Sequence, residues 1–328
     1  MYIVTGAAGF IGSNIVADLE EAGLGPIVVV DWFGTGDKWR NLAKRNIAGY
    51  VSPEGLEGYL GGLKAEVKAV IHMGAISATT EVNVDRLIEL NINYSVMLWD
   101  WCAEHGVPFI YASSAATYGG IESGFIDDES SSARAALSPL NAYGWSKKAI
   151  DDIFVERVAR GEKAPPQWAG LKFFNVYGPN EYHKDDMRSV ACKLFDAVQT
   201  TNEVPLFKSY RSDIGDGEQR RDFVYVKDCT ALILWLLNHP QHSGIFNCGS
   251  GKARSFADIV RVMADLMGKE LRIKFIDMPA GIRGKYQYFT EADMSKVASA
   301  GYNGPQSTLE EGLDDYINSY LRHDDKYR

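Results

Sequence analysis

The chain has 328 residues, 46% of them hydrophobic, with 43 acidic against 34 basic side chains and a formal net charge of −9. That length can bury a large core and suits one big α/β domain or two closely joined lobes. The negative balance excludes a general binder of nucleic acid or of an anionic membrane, so any bound phosphate has to be met by local cations.

Met1 is followed at once by Tyr2-Ile3-Val4, without the charged and apolar regions of a secretory signal, and no apolar run reaches membrane-spanning length. The expectation is a cytoplasmic protein. A first strand, Tyr2–Thr5, runs into Gly6-Ala7-Ala8-Gly9-Phe10-Ile11-Gly12 and then a helix with apolar Ile11, Ile15, Val16 and Leu19. The G-x-x-G-x-x-G spacing lets the backbone turn tightly and bring a pyrophosphate to the positive end of that helix. Strand, turn and helix in that order predict a dinucleotide site built on Gly6, Gly9, Phe10, Ile11 and Gly12. Asp31 ends a second strand from Ile27, where a carboxylate can hold the ribose hydroxyls of NAD. Lys38 and Arg40 follow, and a cation there suits the 2′-phosphate of NADP, so both cofactors stay open.

Ala69–His72 and Phe109–Ala112 continue the series of apolar strands separated by amphipathic helices. Such runs predict a Rossmann-type, doubly wound parallel sheet covered on both faces. Ser113 and Ser114 follow the fourth strand of this series. A helix from near Asn141 to about Ala159 carries Tyr143 and Lys147 one turn apart on one face. A free phenol titrates near 10, and a cation within about 4–6 Å favours phenolate by about 1–3 units, which would make Tyr143 an acid/base group.

Further strands are expected at Leu171–Val176 and Gly244–Cys248, with Pro165-Pro166 as an exposed connector. Turn-rich stretches at 180–186 and 208–219 read as loops around a ligand or at the surface. The resulting division is a dinucleotide-binding domain over 1–176 with a return segment at about 220–253. A smaller, mixed α/β substrate-binding lobe takes 177–219 and 254–328. Cys102, Cys192, Cys229 and Cys248 show no C-x-x-C pair, and the six histidines show no ligand spacing, so reduced core thiols and no metal are expected.

The glycine motif, Tyr111-Ala112-Ser113-Ser114-Ala115-Ala116-Thr117-Tyr118-Gly119-Gly120 and Tyr143-Gly144-Trp145-Ser146-Lys147 together resemble the extended short-chain dehydrogenase/reductase superfamily. With Phe174-Asn175-Val176-Tyr177-Gly178-Pro179, His183-Lys184 and Arg221-Asp222-Phe223-Val224-Tyr225-Val226, the chain is similar nearly end to end to the family of ADP-L-glycero-D-manno-heptose 6-epimerases. That resemblance implies inversion of C6 of an ADP-heptose through a transient 6-ketone, with a tightly held NADP, in the supply of the lipopolysaccharide core. It implies Tyr143 as base for one epimer and Lys184 for the other, with Ser114 on the substrate oxygen. Lys147 would tune the phenol and bind the nicotinamide ribose.

Further cofactor contacts implied by the resemblance are Trp32, Lys38, Met73, Gly74, Ala75, Ile76, Ser77, Asn91, Val176 and Lys184. Substrate contacts are implied at Asn175, Asp186, Lys193, Phe207, Lys208, Ser209, Tyr210, Arg221 and Tyr286. Asn91 reads equally as plain helix surface, Ser113 as structural and Arg220 as a solvated cation. Three departures stand out: a long 208–220 loop, Pro53 where a lysine is expected near the 2′-phosphate, and Met73 in place of an acid. A uridine-diphosphate-sugar 4-epimerase shares the Tyr/Lys pair but needs no second base. A 4,6-dehydratase would carry an Asp-Glu pair where this chain has Ala115-Ala116. A non-catalytic dinucleotide sensor would have shed Tyr143 or Lys147. The family's assembly, with Trp99 and Trp101 on one helix, suggests a homo-oligomer.

Overall fold

Runs of β-branched residues without polar alternation are stable only where both faces of a sheet are covered. The computed structural model, which describes residues 1–283 and 286–328, contains twelve strands. They are β1 (Tyr2–Thr5), β2 (Ile27–Val30), β3 (Gly49–Val51), β4 (Ala69–His72), β5 (Phe109–Ser114), β6 (Trp168–Phe173), β7 (Asn175–Tyr177), β8 (Glu203–Phe207), β9 (Arg220–Tyr225), β10 (Gly244–Cys248), β11 (Ala253–Ser255) and β12 (Arg272–Ile276). Seven of them form one all-parallel sheet in the order β10-β6-β5-β4-β1-β2-β3. The order reverses between β1 and β4, which opens a crevice beyond the C-terminal ends of the strands.

Helices Phe10–Glu21 and Val226–Asn238 cover one face, burying Ile15, Val16, Leu19, Leu232, Ile233 and Leu236. Helices Tyr94–His105 and Ala142–Ala159 cover the other, around Leu98, Trp99, Ile150 and Phe154. A separate core joins helices Val190–Thr200, Phe256–Met267 and Leu309–Tyr316 to β8 and β9. This is the smaller lobe. It carries a mixed sheet, β11-β9-β7, and a parallel pair, β12-β8.

Several expectations change here. The stretch Leu171–Val176 is two strands: β6 ends at Phe173, and β7 pairs with β9 in the second sheet. The return to the main sheet is therefore the helix Val226–Asn238 with β10, while β9 at the start of the expected return segment belongs to the mixed sheet. Trp99 offers nothing to a partner subunit, because it is fully buried and stacks on Phe154 at 4.1 Å. Trp101 lies on His105, 4.4 Å away. All four cysteines are buried and free.

Candidate active site

The glycine turn shapes one end of the crevice. Gly6 has φ +61°, and a Cβ there would sit 2.6 Å from the Gly74 nitrogen; a Cβ at Gly12 would strike the Gly6 carbonyl. Only glycine permits this approach, which leaves the N-terminus of helix Phe10–Glu21 facing a cavity of about 770 Å³. Gly6, Gly9, Phe10, Ile11, Gly12, Asp31, Trp32, Lys38, Met73, Gly74, Ala75, Ile76, Ser77 and Val176 all line it. The shape and the positive helix end fit a dinucleotide.

At the β2 end, the Ala8 N–H donates to Asp31 at 2.8 Å, and the Lys38 ammonium pairs with the same carboxylate at 2.5 Å. Lys38 also donates to the Trp32 carbonyl, 2.8 Å away. Arg40 packs over the Tyr327 ring instead, 5.4 Å from its centroid, so Lys38 is the cation beside Asp31 on the cavity wall. Pro53 lines the cavity nearby.

At the other end, Asn141 caps the helix Ala142–Ala159 by accepting the Gly144 N–H at 2.8 Å. The cap starts the helix so that Tyr143 and Lys147 line the cavity with Ser114, which closes β5 and accepts the Ala116 N–H at 3.1 Å. Burial pushes the Tyr143 phenol up, while a hydrogen bond with Ser114 acts the other way. Burial pushes the Lys147 ammonium down to about 8, opposed by the Asp151 carboxylate. The expected lowering of the phenol by its lysine is therefore corrected: desolvation dominates, and what opposes it is the hydrogen bond with Ser114 rather than the Lys147 cation.

Asn91 is neither helix surface nor a wall of the cavity. It is fully buried in a π-helical turn, Ile88–Asn93, where its amide accepts the Ile76 N–H at 2.8 Å and donates to the Ile76 carbonyl and Ser146 hydroxyl, each at 3.0 Å. Its side chain is spent on fixing the cavity-lining 76 segment to the helix of Tyr143. Buried His72 continues this network, with Nδ1 2.6 Å from the Thr5 hydroxyl and Nε2 2.9 Å from that of Ser95. Burial, then Lys147, hold it neutral, its pKa down to about 3.

Lys184 enters from a short turn, Tyr182–Met187, and its ammonium stands 5.7 Å from the centre of the Phe10 ring. Burial lowers its pKa and Glu181 opposes the shift. Asp185 and Asp186 flank Lys184 in the sequence. Both are exposed, because the backbone reverses at Asp185, with φ +46°. Glu181 is buried and accepts from the Ser189 hydroxyl at 2.7 Å and the Tyr316 hydroxyl at 3.0 Å. His183, also on the wall, is pushed down to about 4 by burial, then by Lys38 and Lys184.

Asn175 lines the cavity. Asp186 and Lys193 do not: both are exposed, and the Lys193 ammonium is 2.5 Å from the Asp186 carbonyl. Phe207, Lys208, Ser209 and Tyr210 lie in the smaller lobe, with Lys208 paired to Asp277 at 3.1 Å. Arg221 is buried there, 5.1 Å from the Tyr286 ring centre. This group does not line the main cavity; next to it in sequence, Gln287 donates to the Gly119 carbonyl beyond β5. Glu181, His183 and Arg188 also line the cavity and went unread in the sequence as parts of the site; only their position next to motif residues hinted at them.

A family model described as NAD dependent epimerase/dehydratase family matches residues 2–249. A relative from Nitratidesulfovibrio vulgaris (strain DP4), named ADP-L-glycero-D-manno-heptose-6-epimerase, is 48% identical over the whole of both chains. One of the same name from Fusobacterium nucleatum subsp. nucleatum is 45% identical, also over the whole of both chains. Among solved structures, the Helicobacter pylori ADP-L-glycero-D-manno-heptose-6-epimerase superposes with a TM-score of 0.80 at 27% identity, covering 97% of this chain and 95% of that one. A Thermus thermophilus UDP-glucose 4-epimerase complex with NAD gives 0.73 at 25% identity, covering 97% and 99%.

Proposed function

The chain belongs to the NAD dependent epimerase/dehydratase family, and we propose that it inverts C6 of ADP-D-glycero-D-manno-heptose to give ADP-L-glycero-D-manno-heptose. The hydrogen on that secondary alcohol carbon is unactivated, so direct deprotonation is unfavourable. Oxidation to a 6-ketone makes the carbon planar, and hydride returned to its opposite face gives the epimer. A nicotinamide dinucleotide in the glycine-lined end of the cavity supplies hydride acceptance and return, and is regenerated in each turnover.

The observation that carries this reading is that two basic groups, Tyr143 and Lys184, line one cavity from different elements. The hydroxyl of each epimer points differently, and each needs its own proton acceptor. Tyr143 serves one epimer, with Ser114 holding the oxygen. Lys184 serves the other, brought towards neutrality by burial. Asn175 orients the sugar, and Arg221 with Tyr286 meets the ADP moiety through its guanidinium fork.

NADP is the proposed cofactor, with Lys38 as the cation for the 2′-phosphate. Asp31 is the feature that suits NAD. Work in the cytoplasm belongs to the same reading, supported by four buried free thiols. Self-association is proposed with it, and a light-scattering mass equal to one chain would remove it. The deciding experiment incubates the protein with ADP-D-glycero-D-manno-heptose, assigns C6 of the product and identifies the dinucleotide released on denaturation. Unchanged stereochemistry, or turnover of UDP-glucose at C4 instead, would defeat the assignment.

A further inference from the structure

Behind the helix that carries Tyr143 and Lys147 lies a buried polar cluster for which hydride transfer gives no reason. Asp151 follows Lys147 by one turn on the same helix face. Its carboxylate accepts the Tyr111 hydroxyl at 3.0 Å, the Ser113 hydroxyl at 2.7 Å and the Lys172 ammonium at 2.7 Å. Lys172 is held in turn by the Thr117 hydroxyl at 2.7 Å. Asp151, Lys172, Tyr111 and Ser113 are all at most 4% exposed.

A buried ion pair costs more in desolvation than it returns unless its remaining lone pairs are met, and here donors from β5 and β6 meet them. Such a carboxylate is held in place by its donors. We propose that Asp151, fixed by Lys172, is the positioning residue that keeps Lys147 cationic on the cavity wall. This rests on the reading given above. The groups around Lys147 leave little else to do so. From its own helix come Tyr143 and Asp151, and from β4 comes His72, which is neutral. Lys172 on β6 is paired with Asp151 at 2.7 Å. Asp151 and Lys172 also border a separate cavity of about 280 Å³ with Arg134, Lys148 and Asp152, and Asp152 there pairs with both Arg134 and Lys148.

Burial lowers the Lys147 ammonium to about 8 even with the carboxylate one turn away opposing it, and without that carboxylate it would fall further. A neutral lysine neither supports a phenolate nor offers its full set of donors to ribose hydroxyls.

The test is the pH profile of kcat/KM for the holoenzyme, which reports the groups of the free enzyme. In Asp151→Asn the alkaline limb should move down by about 1 to 3 pH units, the usual effect of losing a close opposite charge. In Asp151→Asn/Lys172→Met, where no unpartnered buried Lys172 is left behind, the limb should also lie below wild type. A folded Asp151→Asn protein with the wild-type limb overturns the proposal. If that variant does not fold, the double variant decides by the same criterion. Should the wild type fail to epimerise the sugar, the functional reading falls separately. The proposal then stands or falls on the pH at which the Lys147 Cε resonance titrates, assigned by its loss in Lys147→Met, in wild type and Asp151→Asn.

Discussion

Replacing Lys184 with Met separates a two-base epimerase from a one-base enzyme. Each base takes the proton of one epimer and, by microscopic reversibility, returns it when that epimer is the product. Loss of Lys184 should therefore block net epimerisation in both directions yet spare the oxidation of the epimer served by Tyr143. Removing a positioned base typically costs 10²–10⁴-fold, or about 3–5 kcal/mol of barrier. The fold should tolerate the change. The ammonium's contact with Phe10, 5.7 Å away, contributes about 0.5–1 kcal/mol, which the desolvation of a lysine offsets. Glu181 keeps its partners, Ser189 and Tyr316 among them. The assay follows reduction of the bound nicotinamide by its near-ultraviolet absorbance when each epimer is mixed with the oxidised holoenzyme. Lys184→Met should lose the signal with one epimer by the stated factor and keep it with the other, and Tyr143→Phe should show the reverse pattern. Equal signals with both epimers in Lys184→Met would refute the division of labour between the two bases.

Asn91→Leu leaves both backbone groups of Ile76 unpaired, each costing about 1–3 kcal/mol, so urea unfolding should show a loss of about 3 kcal/mol or more, with weakened cofactor retention. His72 has a folded pKa of about 3 against an unfolded value near 6.5, so the unfolded chain gains a proton first as pH falls and stability declines through that window. Between pH 6.5 and 5.5, wild type should lose about 1 kcal/mol relative to His72→Gln, measured by denaturant titration at each pH. Lys38→Met should weaken NADP binding by about ten- to a hundredfold, the worth of a hydrogen bond to a charged group, while NAD binding changes far less. Equal losses for both dinucleotides in calorimetric titration would remove Lys38 from the 2′-phosphate.

The parallel sheet was legible because its strands are continuous β-branched runs such as Ile27–Val30, and the glycine turn because only glycine meets its steric demand. β3 escaped notice as a half-exposed edge strand of Gly49, Tyr50 and Val51, too short to show a period. β8 and β12 were hidden for a related reason: Pro205 and the charges on Lys274 and Arg272 sit on a two-stranded ribbon facing solvent. The break at Phe174 carries no sequence signal, since apolar residues fit either sheet. Asn91 and Asp151 lie on helices where period alone marks them as surface or core. Their meaning comes from loops and strands distant in the chain, Ile76 for one and Tyr111, Ser113 and Lys172 for the other.

The electrostatics of the cavity follow from one device used twice. Lys147 and Lys184 are both pushed towards neutrality by burial, and each has one buried acid set behind it, Asp151 and Glu181 respectively. Each acid is fixed by donors that take no part in the chemistry, so its field is preorganised rather than borrowed from solvent. The acids differ in their setting. Asp151 also neutralises Lys172, whereas Glu181 accepts from neutral hydroxyl and backbone donors and is itself pushed up by burial. Lys147 is thereby placed beside an acid held in a buried ion pair and Lys184 beside one whose charge is costly to keep. That asymmetry suits their proposed tasks, a cation for one and a proton acceptor for the other.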